Sequence, residues 1–187
     1  MTTNHIASSA PATLLGTPRQ TLRFERRLAT DLDDAWTLVS DPARVARWFA
    51  PVTVGDDDSR TRPQDAVGRT WTTHWDDGRE YATGTIVRCE PPHLLEVTWT
   101  ASDDADEASA DSVLRVSLTE QADGVLLTLE HEGLGETDLV QYGAGWHTYL
   151  DRLGDGRFTV IDWSARYAEL EPVYRRLTQA GQATDQG

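Results

Sequence analysis

The chain has 187 residues, 39% of them hydrophobic, which suits one globular domain with short tails. Its 17 Lys and Arg against 31 Asp and Glu leave a formal charge of −14, which opposes non-specific binding to nucleic acid or an anionic membrane. The single Cys89 excludes an intramolecular disulfide, and no apolar run approaches the roughly 18 residues of a membrane span.

Met1–Pro18 is rich in Ser, Thr, Ala and Pro without periodicity, so a mobile tail is expected there. It also lacks a signal-peptide pattern, which makes a cytoplasmic protein the expectation. The folded domain is expected over 19–154, with a helical extension at 155–180 and a second tail at 181–187.

Thr21 to Leu28 has the composition of a strand. Thr30 and Asp33 then fit a Thr-x-x-Asp helix start in front of Ala35-Trp36-Thr37-Leu38-Val39. Asp41-Pro42 follows as an N-cap with proline in the first turn, opening a second short helix through Val45 to Arg47.

From Gly68 to His131 the pattern is one of strands broken by Asp76-Asp77-Gly78, Pro91-Pro92, the acidic loop Ser102–Asp111 and Ala122-Asp123-Gly124. The spacing predicts an antiparallel meander. Alternation groups Trp71 with Trp75, then Leu95, Val97 and Trp99, then Leu114, Val116 and Leu118, then Val125, Leu127, Leu129 and His131, as inward residues. The carboxylates of Asp103 to Glu107 read as a solvated hairpin tip, since nothing beside them sets ligand geometry.

Leu139, Gly143, Trp146, Leu150 and Leu153 recur at helical spacing, and the stripe they form is expected to face the sheet. Beyond it, Trp163, Tyr167 and Leu170 predict a looser helix outside the main body, broken or kinked at Pro172.

Few motifs carry chemistry. Gly133-x-Gly135 is not a dinucleotide fingerprint, because its last position is Asp138, Glu136 would face the pyrophosphate and no βαβ unit surrounds it. His131-Glu132 lacks the second histidine of a zinc-protease motif, and Cys89 has no ligand-spaced neighbour, so neither a metal site nor a cofactor is expected. His131 is the one candidate for proton transfer. An inward histidine either meets a ligand or sits hydrogen-bonded in the core, and both readings stay open. His93 and His147 are expected at the surface. Trp48-Phe49, Trp71, Trp75, Trp99 and Trp146, with Leu129, His131 and Leu150, point toward one interior, as core or as cavity wall, with His131 and Trp146 on opposite sides.

Taken in order, Arg47-Trp48-Phe49-Ala50-Pro51, Gly84-Thr85-Ile86-Val87, Glu90-Pro91-Pro92-His93-Leu94-Leu95, Thr98-Trp99-Thr100, Leu127 to Leu134, Gly145-Trp146 and Leu150-Asp151-Arg152-Leu153 resemble the activator of Hsp90 ATPase homologue (AHSA1-like) family of the START or Bet v 1-like (SRPBCC) superfamily. The resemblance implies an α+β helix-grip fold: a curved antiparallel sheet wrapped around a long C-terminal helix, with two short helices after the first strand. It also implies a cavity for a hydrophobic small molecule, such as a polyketide-type natural product. Its alternatives are a Hsp90-type chaperone partner and a cyclase or dehydratase using His131. The family has no shared catalytic set to carry over.

Overall fold

The computed structural model describes residues 10–15, 20–55, 66–75, 77–102 and 112–185. The strands are β1 (Thr13–Leu15), β2 (Gln20–Leu28), β3 (Val52–Val54), β4 (Thr70–His74), β5 (Glu80–Glu90), β6 (Leu94–Ala101), β7 (Ser112–Gln121) and β8 (Gly124–Leu134). They form an eight-stranded antiparallel sheet in the order β1-β2-β8-β7-β6-β5-β4-β3. Helices α1 (Leu32–Ser40) and α2 (Pro42–Val45) lie between β2 and β3, while α3 (Glu136–Leu153) and α4 (Trp163–Asp185) follow β8. The curved open sheet with α3 against it is the helix-grip arrangement that the resemblance implies.

Alternation sets the inner face. Leu95 of β6 pairs with Val116 of β7, which pairs with Leu129 of β8, and Val97, Leu114 and His131 form the next row. On the opposite face, Arg23, Glu130, Arg115 and Glu96 make an ion-pair ladder across β2, β8, β7 and β6, with separations of 2.7, 3.5 and 2.7 Å. Those pairs are partly solvated, so each is worth at most about 1 kcal/mol.

The helix starts follow from their caps. Asp41 Oδ1 accepts from Ala43 N at 2.9 Å and Arg44 N at 3.1 Å ahead of Pro42 at N1, as the Asp-Pro pair predicts. α1 starts one residue later than the Thr30 reading. Asp31 is its N-cap, accepting from Asp34 N at 2.8 Å, while Thr30 Oγ1 donates to Asp34 Oδ2. The carboxylate outcompetes the hydroxyl because its oxygen reaches the free N–H groups of the first turn.

Two expectations about the chain ends change. Thr13–Leu15, assigned to a mobile tail, pairs with β2, and Ala12 N donates to Tyr174 Oη at 3.0 Å. A strand this short has no legible alternation, so only its partners specify it. α4 does not end at Pro172 or by residue 180; it is helical from Trp163 to Asp185. Pro172 and Ala168 are both exposed, so the carbonyl that loses its N–H partner stays hydrated, while Leu170, Tyr174 and Thr178 remain buried on the other side. The acidic loop Asp103–Glu107 lies outside the described residues, as does most of the stretch 1–18.

α4 is also not loose. It packs on the outer side of α3, leaving α3 buried on two faces, and His147, expected at the surface, is 2% exposed with Nδ1 3.0 Å from Tyr174 Oη. Gly143 makes the close approach possible: a Cβ there would stand 2.3 Å from Tyr174 Cδ1. Gly143→Ala is therefore expected to destabilise by about 1–3 kcal/mol, because the ring it displaces is buried and hydrogen-bonded. Urea unfolding measures this, and an unchanged midpoint would show that α4 packs elsewhere in solution.

Candidate functional site

Between the inner face of the sheet and α3, with α1 and α2 at one side, lies a cavity of about 100 Å³. Of the residues expected to wall it, Trp48, Phe49, Trp71, Trp99, Leu129 and Trp146 do so. Val39, Pro42 and Val45 of the short helices and Val54 and Ile86 of the sheet add to the apolar wall, and Ser40 is the one aliphatic hydroxyl in it. The sequence signal for these was present as an amphipathic α1 and as alternation in Gly84-Thr85-Ile86-Val87, but nothing local shows which strands curl over the gap.

The rings are packed at contact distance. Phe49 stacks on Trp146 with centroids 5.1 Å apart and meets Tyr149 edge-on at 4.9 Å, while Trp71 and Trp99 lie 5.0 Å apart. Each indole donor in this wall is already used within the protein. Trp48 Nε1 donates to Leu38 O at 2.9 Å, Trp71 Nε1 to Thr98 O at 3.1 Å, and Trp99 Nε1 to Tyr142 Oη at 3.0 Å. Gly84 permits the Trp71 bond, since a Cβ there would fall 1.9 Å from Thr98 O and 2.8 Å from the indole nitrogen.

Trp146 Nε1 donates to His131 Nδ1 at 3.1 Å. An indole N–H is a donor only, so Nδ1 is the acceptor and the neutral ring carries its proton on Nε2. That proton points at Ser112 Oγ, 2.9 Å away, and Ser112 in turn donates to Trp99 O at 3.0 Å. His131 is 0% exposed, and burial pushes its pKa down to about 3. Its place differs from the expectation in two ways: it does not line the cavity, and it stands behind Trp146 as a partner rather than across from it. Of the two readings of an inward histidine, the structure shows the hydrogen-bonded core histidine.

Leu150, one turn beyond Trp146, is fully buried in the core but does not reach the cavity. Trp75 leaves the group as well. The register slips between Thr73 and His74 at the end of β4, so alternation no longer holds, and Trp75 is 36% exposed against Tyr81 at 4.3 Å. Among the described residues, no three His, Cys, Asp or Glu side chains converge on a metal-sized space, and no helix is long and apolar enough to cross a membrane.

Comparison with known proteins places this geometry. Residues 29–156 match the model of the family described as Activator of Hsp90 ATPase homolog 1-like protein. Among solved structures, CalU16 from Micromonospora echinospora is similar at 28% identity, over 92% of this chain and 98% of that one, with a TM-score of 0.68. The AHSA1 protein from Silicibacter pomeroyi is 25% identical over 73% of this chain and 96% of its own, with a TM-score of 0.56. DynU16, a protein of the dynemicin biosynthetic locus, shares the fold at 22% identity, over 71% of this chain and 45% of its own, with a TM-score of 0.58. No curated protein matches the chain.

Proposed function

This chain belongs to the Activator of Hsp90 ATPase homolog 1-like family, and from that premise we propose that it binds and holds a small hydrophobic molecule between its sheet and α3. The observation that carries the proposal is the cavity of about 100 Å³ walled by apolar side chains, whose indole N–H groups are all paired internally. With every indole donor used and the Ser40 hydroxyl donating to Trp36 O, the wall rewards hydrocarbon and gives little to a buried polar group.

Size narrows the ligand further. An apolar cavity of roughly 150 Å³ takes a benzene-sized molecule, whereas drug-sized ligands occupy roughly 300 Å³ or more. A benzene-sized ring or a short alkyl end fits this space. A polyketide-type natural product would insert such an end and keep its oxygenated part outside. The described lining residues include no ionisable side chain, and both nitrogens of His131 are taken, which supports holding a ligand over acid–base turnover of it.

Toluene titrated against the protein is expected to shift the NMR signals of Trp99 and Trp146 and to raise Tm. Val97 faces the same space, and Val97→Phe fills it with a ring of the protein's own. The variant is expected to remain folded and to lose the toluene response. A wild-type protein that answers neither toluene nor a short alkane at saturation, and carries no small molecule in native mass spectrometry, would overturn the proposal.

A further inference from the structure

A second space opens on the other side of the aromatic wall. It is a cleft of about 210 Å³ between the ends of the strands and the two long helices. Trp75 and Tyr81 enter it from the sheet, with centroids 4.3 Å apart, and Trp163 and Tyr167 from α4, stacked at 4.9 Å and 20°. Tyr142 and Gly145 of α3 lie between the two pairs. Tyr81 and Tyr142 of this cleft pack edge-on against Trp99 of the cavity wall, and Tyr81 also meets Phe49.

Two features of the cleft lack a packing explanation. Gly145 sits in the middle of α3, where glycine costs about 1 kcal/mol relative to alanine. Gly143, one position before Ala144, earns its place through Tyr174, but a Cβ at Gly145 would meet nothing within 4 Å. The missing side chain therefore leaves floor space in the cleft and serves no contact within the protein. The second feature is Trp163 Nε1, which is buried and has no hydrogen-bond partner, whereas the indole donors of the cavity wall are all paired. A buried donor left unmade is a standing cost that an incoming acceptor removes.

We infer that this cleft is a second binding site, for an uncharged planar aromatic molecule carrying a carbonyl or hydroxyl oxygen. Its ring inserts between the sheet pair and the α4 pair, over the bare backbone of Gly145. Its oxygen accepts from Trp163 Nε1 once that half-buried indole turns its N–H to the cleft. Asp138 and Gln141 border the same space, and with a formal charge of −14 on the chain they select against a carboxylate or phosphate on the ligand. The site does not depend on occupancy of the cavity.

The probes are coumarin, which has a ring carbonyl, and naphthalene, which has the same planarity and no acceptor. Coumarin is expected to shift the indole N–H signal of Trp163, identified by its loss in Trp163→Phe, and to bind about tenfold more tightly than naphthalene, the worth of one hydrogen bond. Trp163→Phe is expected to erase that preference. Gly145→Leu places a side chain where the structure has open space and improves helix propensity, so it should fold and lose coumarin binding. Val97→Phe, which fills only the cavity, should retain it. Absence of coumarin binding at millimolar concentration, binding untouched by Gly145→Leu, or equal affinity for the two probes would each overturn the inference.

Discussion

Asp151→Ala is expected to destabilise the protein by about 3–5 kcal/mol, the cost of stranding a buried charge. The carboxylate has 4% side-chain exposure, and Arg166 of α4 reaches its Oδ2 with Nε and Nη2, both at 2.9 Å. Its Oδ1 faces Arg26 Nη2 of β2 and His147 Nε2, each at 3.8 Å. Arg166 lies near the surface and also pairs with Glu169, so it finds water when Asp151 is removed. Arg26 does not. Its side chain is 10% exposed, its Nε and Nη2 have no hydrogen-bond partner, and burial already pushes its pKa down.

The loss should therefore be recovered at Arg26. Arg26→Met is expected to cost less than Asp151→Ala, and the double variant to regain most of the stability, since no uncompensated charge then remains. Urea unfolding of the three proteins measures the coupling, and strictly additive losses would show that the two groups do not share one buried pair. The same cluster explains Leu150-Asp151-Arg152-Leu153 as a motif. The leucines bury α3 against its neighbours, while Asp151 ties β2 and α4 to it.

His131→Leu is expected to act in a pH-dependent way. At neutral pH it leaves the Trp146 N–H and Ser112 without their partner, which costs about 2–4 kcal/mol. Burial lowers the folded-state pKa to about 3, below the ordinary 6.5, so between those values the unfolded chain holds a proton that the folded chain does not. The stabilising preference for neutral imidazole is complete above pH 6.5 and is lost as pH falls toward 3. From pH 7.5 to pH 5 the wild type should lose about 2 kcal/mol more than His131→Leu, at about 1.4 kcal/mol per pH unit below the unfolded pKa. Guanidinium unfolding at the two pH values measures the difference, and parallel losses would mean that His131 is hydrated in solution.

Wherever a residue's environment is set by its own strand or helix turn, the sequence was legible. Alternation put Trp99, Val116 and Leu129 on one face because side chains on a strand alternate whatever the sheet does next. Asp41-Pro42 capped α2 as read, because a cap needs only the first turn it closes. The stripe from Leu139 to Leu153 marked buried positions of α3, with Trp146 meeting the sheet at His131, although Gly143, read as part of it, faces Tyr174 of α4 instead. The ordered motifs identified the family, and with it the sheet and helix that frame the candidate site.

Contacts distant in the chain decided the rest. Whether His131 would meet a ligand or a protein donor depended on Trp146 arriving 15 positions later at 3.1 Å, which alternation does not encode. His147 read as a surface residue until α4 covers it, and α4 itself read as a looser helix because Pro172 follows Trp163, Tyr167 and Leu170, whereas Leu170, Tyr174 and Thr178 bury its inner side. Trp75 shared the period of Trp71, but a register slip at the strand end sent it to the outer cleft. Local periodicity specifies which face of an element is apolar. What covers that face, and whether a cavity remains beneath it, is settled by the packing of remote side chains, because their volumes and hydrogen-bonding groups must be satisfied together.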